Sequence, residues 1–147
     1  MGLRDLAPLA SLLGDPTRCT LLELMLDNPV TIDYLAKKAS ISRTAVEKHI
    51  SILMHYGLIE RRAPSAGRLR YFYYVTDSGE TFLEAFRIAA ENYASYRLSE
   101  VSEELNRLNK AKEFGILTDT EIKLELDRLN EMREKLLALL ARGESDK

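Results

Sequence analysis

The stretch "SISRTAVEKHISILMHYGLIERR", residues 40–62, is polar at its start, apolar along its middle and basic at its end. A helix from about Arg43 to Tyr56, at about 100° per residue, puts Val46, His49, Ile50 and Leu53 on one face and Thr44, Lys48, Ser51 and His55 opposite. Ser42 stands where an N-cap belongs, and Gly57 stands where the helix should stop. The apolar face explains burial. It does not explain why Arg43, Thr44, Glu47 and Lys48 crowd the first turns, or why Arg61 and Arg62 follow in "LIERRA", which reads as a strand.

Upstream, a first helix is expected over Leu3 to Leu13, ended by Gly14 as a left-handed cap. Asp15 caps a second helix, "PTRCTLLELML", with Pro16 at its first position, where a missing N–H costs nothing. Asn28-Pro29 closes it. Thr31 caps a short third helix at roughly 32–39, with Leu35 and Ala36 inward, and "SIS" turns into the helix that starts at Arg43. Downstream, "PSAG" supplies turn residues and "RLRYFYYVT" the aromatic and β-branched residues that strands favour. Tyr71 and Tyr73 of that strand (within Tyr71, Phe72, Tyr73, Tyr74) are expected to cover the core. Two strands around a basic turn, directly after a helix–turn–helix, make a wing.

From Thr76 the pattern changes. Thr76 or Asp77 caps a helix reaching about Glu113, whose second half spaces Ala94, Leu98, Val101, Leu105 and Leu108 by alternating steps of four and three. Gly115 interrupts, and "TDTE" at 118–121 matches a capping box from Thr118 to Glu121. A last helix carries Ile122, Leu126, Leu129, Met132, Leu136 and Leu139 near heptad spacing. The fold class is therefore mainly α with a small β-hairpin: a winged helix–turn–helix over 1–80, then an antiparallel, coiled-coil-like helical hairpin over 81–147. So thin a hairpin has little core of its own, so these leucines are expected to serve dimerisation.

The 147 residues carry a net charge of −2 that conceals a division. Residues 1–76 sum to +3 and residues 77–147 to −5, while 37–70 alone reaches +6, with Lys37, Lys38, Arg43, Lys48, Arg61, Arg62, Arg68 and Arg70 against Glu47 and Glu60. Segregated basic charge suits a polyanion. The apolar fraction, 46%, fits a folded chain, and no run of about 18 apolar residues exists to cross a membrane. The start "MGLRDLAPLA" shows no secretory pattern, and Gly2 alone is a thin match to a myristoylation signal. One cysteine, Cys19, forms no internal disulfide, so a reducing, cytoplasmic setting is expected.

Three short helices, a wing and a long helix together resemble the winged helix–turn–helix repressors, the ArsR-like group. The resemblance rests on "LGDPTRCTLLELM", "TIDYLAKKASISRTAVEKHISILMHYGLIERR" and "GRLRYFYYVTDSG", and covers roughly residues 9–85. It implies a prokaryotic homodimer that reads an inverted repeat in promoter DNA, with 32–39 as support helix and 43–56 as recognition helix. The residues suit that task independently. Arg43 and Lys48 can donate to guanine or phosphate, Ser42 and Thr44 can bond phosphate or contact a thymine methyl, and Glu47 can accept from cytosine or simply pair with a neighbouring basic side chain. Arg61, Arg62, Arg68 and Arg70 fit phosphates or the minor groove. Lys37 and Lys38 fit phosphate or simply offset the dipole of their own helix. "LNKAKEFGILTDTEIKLELDRL" faintly resembles the short C-terminal domain found at the ends of many prokaryotic proteins, which implies oligomerisation.

Other chemistry finds little support. His49 lies on the apolar face and reads as a packed core residue, and His55, six positions on, does not form a chelating pair with it. With Cys19 alone and no histidine after His55, neither a metal site nor a cofactor is expected, and Cys19 reads as a small buried side chain. No glycine-rich phosphate loop, G-x-S-x-G or paired-histidine motif appears, so an enzyme is not expected. Two rival uses remain: a DNA-coating architectural protein of low sequence preference, and a winged helix serving only protein interaction.

Overall fold

The computed structural model describes residues 1–63 and 70–144 of the chain. They form two compact units, Met1–Glu84 and Ala85–Lys147.

The first unit opens with α1 (Leu3–Leu12), whose Gly2 N–H donates to the Asp5 carboxylate at 2.8 Å. The helix ends one residue earlier than expected, and Gly14 does not adopt the left-handed conformation. Another group closes its C-terminus. Arg18 reaches back from the next helix, its Nε donating to the Leu12 carbonyl at 2.9 Å and its Nη2 to the Ser11 carbonyl at 2.7 Å. A guanidinium that satisfies the orphan carbonyls makes a left-handed glycine unnecessary.

The next two helices start as their caps require. In α2 (Pro16–Leu26) the Asp15 carboxylate accepts from the Thr17 and Arg18 N–H groups at 2.8 and 3.2 Å. In α3 (Ile32–Ala39) Thr31 Oγ1 accepts from the Tyr34 N–H at 3.2 Å. Ser40, at φ +55°, turns the chain, and Ser42 Oγ accepts from the Ala45 N–H at 3.1 Å to begin α4 (Arg43–His55). Val46, Ile50 and Leu53 are buried, and Gly57 at φ +72° ends the helix by a conformation other residues rarely take.

The wing strands are shorter than their composition suggested. β1 (Ile59–Arg62) pairs antiparallel with β2 (Phe72–Val75), Ile59 opposite Val75 and Arg62 opposite Phe72. Val30 adds a bridge that its own segment did not announce, exchanging backbone hydrogen bonds with Tyr73 at 2.9 and 2.8 Å. That bridge ties the segment between α2 and α3 to the wing. Tyr73 is buried as expected, whereas Tyr71 precedes the strand and stays exposed. Leu21, Leu22, Met25, Leu35 and Leu53 form the core with Ile59, Tyr73 and Val75.

Thr76 caps α5 (Asp77–Glu113): its Oγ1 accepts from the Gly79 N–H at 2.9 Å and donates to the Gly57 carbonyl at 2.7 Å. Residues of α5 from Ala85 onward belong to the second unit and pack on α6 (Asp119–Glu144). Ala94, Val101 and Leu105 meet Leu129 and Leu136, flanked by Leu98, Leu108, Leu126, Met132 and Leu140; Ile122 is also buried. Leu139 departs from the expected stripe, being 62% exposed. From Leu136, a step of four turns about +40° and a step of three about −60°. Leu140 therefore faces the seam and Leu139 does not. Between the arms, Gly115 at φ +65° turns the chain, and Thr118 and Glu121 exchange their capping bonds at 3.4 Å each.

Candidate nucleic-acid interface

Helix α4 presents its first turns to solvent because its apolar residues begin at Val46 and run along one side. Ser42, Arg43, Thr44, Glu47 and Lys48 are all exposed. Ser42 is occupied as acceptor by its cap, yet its hydroxyl proton still has no acceptor among the described residues. Lys48 makes no ion pair among the described residues.

Arg43 is different. Its Nη1 donates to Asp33 Oδ1 at 2.8 Å, and its Nε donates to Glu47 Oε1 at 3.3 Å. All three side chains remain half exposed. Asp33 lies in the first turn of α3, and sequence reasoning passed over it. It stands two residues after the Thr31 cap, where an acidic residue already has a local role beside the helix dipole. Nothing local marks a partner ten residues on.

Arg43 and Glu47 also line a cleft of about 440 Å³ with Thr31, Asp33, Arg70 and Tyr71. The start of α3, the start of α4 and the end of the wing thus converge on one surface, where two arginines face two carboxylates. Arg68 lies outside the described residues.

The remaining basic side chains are arranged by the hairpin. Adjacent strand residues point to opposite faces, so Arg61 and Arg62 do not share one row of contacts. The Arg61 guanidinium lies 4.2 Å from the centre of the Tyr71 ring, and that of Arg62 lies 5.0 Å from the Tyr74 ring. Stacking on an aromatic face orders a guanidinium without consuming its donors. Tyr74 donates its hydroxyl to Glu60 at 3.1 Å, and that bond to a carboxylate raises the phenol's pKa. Lys37 and Lys38 occupy the last turn of α3, Lys38 placing its ammonium 5.8 Å from the Tyr34 ring.

The histidines and the cysteine lie away from this surface chemistry. His49 is partly buried on the inner face, its Nδ1 without a partner among the described residues, while His55 is exposed beside Tyr56. Cys19 Sγ donates to the Leu13 carbonyl at 3.4 Å, and burial, with the nearby Glu23 and Asp15 charges, pushes the thiol above its ordinary pKa. Among the described residues, no three His, Cys, Asp or Glu side chains gather as a metal set, and no helix is long and apolar enough to cross a membrane.

The family described as "Bacterial regulatory protein, arsR family" matches residues 15–61, which run from the Asp15 cap through α4 into β1. No curated protein matches the chain. The transcriptional regulator YodB from B. subtilis, in its reduced form, is similar in structure at a TM-score of 0.54 and 18% identity, covering 60% of this chain and 88% of that one. HlyU from Vibrio cholerae N16961 is similar at 0.50 and 20% identity, covering 60% of this chain and 97% of its own. At such identities the likeness establishes the fold alone. NolR from Sinorhizobium fredii is 25% identical with a TM-score of 0.47, covering 54% of this chain and 78% of that one. Residues 15–61 are thus similar to the helix–turn–helix of the arsR family of bacterial regulatory proteins.

Proposed function

We propose that the chain is a homodimeric transcriptional regulator, a repressor, that reads an inverted repeat in duplex DNA through the N-terminal turns of α4. The observation that carries this reading is the division of α4. Val46, Ile50 and Leu53 are buried, while Arg43, Thr44, Glu47 and Lys48 stand exposed at the end nearest Arg70 of the wing. A helix inserted in the major groove must bury one face and offer polar side chains from its first turns. Arg43 and Lys48 would address base edges, and Ser42, Thr44 and Arg70 would address phosphates. Arg61, Arg62 and Arg68 would hold the backbone beside the wing, with Lys37 and Lys38 at the rim. Residues 1–80 would bind DNA and 81–147 would serve assembly.

Assembly has its own support. The seam of Leu98, Val101, Leu105 and Leu108 with Ile122, Leu126, Leu129, Met132 and Leu136 is used inside the chain, holding the hairpin together. A second line on α5, Phe86, Ala89, Tyr93 and Tyr96 in steps of three and four, lies about 120° away from it. Phe86, Tyr93 and Tyr96 are 44%, 66% and 70% exposed. An apolar line at coiled-coil spacing on the outside of a helix suits the same line of a second copy. Leu139 adds to the exposed apolar surface of the same unit.

Selection of bound sequences from random duplex DNA, followed by competition against a scrambled duplex, tests the reading. Enrichment of a two-fold symmetric site supports it. Binding without enrichment favours a coating protein, and absence of salt-sensitive binding favours a protein-interaction module.

A further inference from the structure

Resting on the DNA-reading function above, we propose that Asp33 is a specificity-determining positioning residue, which acts on DNA recognition only through Arg43. The pair is anchored at both ends by rigid elements. Asp33 sits in the first turn of α3, fixed by the Thr31 cap, and Arg43 is the first residue of α4, fixed by the Ser42 cap. The 2.8 Å bond to Asp33 and the 3.3 Å bond to Glu47 engage Nη1 and Nε. Nη2 makes no bond among the described residues, and the Arg43 side chain is 62% exposed. The guanidinium is thus held with part of its donor fork facing outward over the cleft it shares with Arg70.

Two consequences follow from charge and order. Against a duplex of arbitrary sequence, the two carboxylates offset the attraction of Arg43 for phosphate, so this side chain adds little to indiscriminate binding. Against a duplex that offers paired acceptors on a base edge, the fork is already ordered and loses little freedom on contact. Asp33 therefore widens the gap between the preferred sequence and all others without touching DNA itself.

The test uses the full chain, the preferred duplex obtained by selection and a scrambled duplex of equal length. Variants are Asp33→Asn, Arg43→Ala and the double variant; because Asp33 and Arg43 are exposed, each should melt close to wild type. Loss of one surface negative charge by itself strengthens both duplexes in parallel and leaves their ratio unchanged. The proposal expects Asp33→Asn to lower the specific-to-scrambled ratio by about two- to fivefold, the scale of an exposed ion pair. In the Arg43→Ala background, Asp33→Asn should leave the ratio unchanged. An unchanged ratio in the single variant, or an equal fall in both backgrounds, overturns the role of Asp33. A wild-type ratio near one instead overturns the DNA-reading function on which it rests, and the role of Asp33 with it.

Discussion

A Cβ added to Gly79 would lie 2.2 Å from the carbonyl oxygen of Leu58. The same carbonyl accepts the Thr76 N–H at 2.9 Å, so the entry to α5 is pressed directly onto the backbone between α4 and the wing. Helix propensity alone favours alanine over glycine by about 1 kcal/mol. Here the obstacle is backbone and has no rotamer to shift. Gly79→Ala should therefore destabilise the first unit by about 1–3 kcal/mol or more, the scale of overpacking. Chemical denaturation followed by circular dichroism measures it, and a neutral or stabilising result would show that the junction yields.

The hairpin seam and the outer α5 line should separate by experiment. Leu129 is fully buried between the arms, so Leu129→Ala should cost about 2–5 kcal/mol of stability in the second unit. Tyr93 and Tyr96 support little within the chain, being largely exposed. Replacing both by Glu should leave the melting of isolated chains nearly unchanged and shift sedimentation at micromolar concentration from dimer toward monomer. A double variant that still sediments as a dimer would move the interface elsewhere.

Local features were legible in the sequence and local failures were few. Asp15, Thr31, Ser42 and Thr118 each stand immediately before a helix, and all four accept the backbone N–H groups their positions require. The heptad steps from Ala94 to Leu108 likewise face α6. What escaped involves partners distant in the chain. Arg18 replaces Gly14 as the closing group of α1, Val30 pairs with Tyr73, and Asp33 holds Arg43. None of these has a periodicity, because each depends on where two separately formed elements meet. Leu139 failed for a smaller reason: heptad counting accepts a step of three or of four, whereas the turn of the helix brings Leu140 and not Leu139 onto the seam.

Cys19 should be a poor nucleophile. Its thiol is raised above the ordinary value first by burial and then by the Glu23 and Asp15 charges. The thiolate is the form that attacks, and the folded protein holds less of it at neutral pH than an unfolded chain does. Alkylation by iodoacetamide near neutral pH should therefore run slower than in an unfolded control. The folded state favours the protonated form. Its contribution to stability is complete below the unfolded thiol value, about 8.5, and declines as pH rises through the higher folded value. Cys19→Ser should abolish that alkaline decline in part. Fast labelling of the native protein would contradict the burial.

The proposed division between reading and anchoring makes the strongest demand on α4. Arg43 and Lys48 share its exposed start, but only Arg43 is held by carboxylates. Replacing either by Ala should cost about 1–3 kcal/mol on the preferred duplex and relax preference at particular base positions. Lys48, a mobile point charge with no partner among the described residues, should lose more of its effect as salt rises. Arg43 should lose less, since its net charge is already offset. Arg70→Ala, at the edge of the same cleft, should weaken every duplex alike and reduce the salt slope by about one unit. Competition against single-base variants at several salt concentrations distinguishes these patterns. If Arg43→Ala and Lys48→Ala weaken all sequences equally, α4 anchors rather than reads, and a coating protein becomes the better description. If Arg70→Ala alters preference at A·T steps, the end of the wing is sensing minor-groove width.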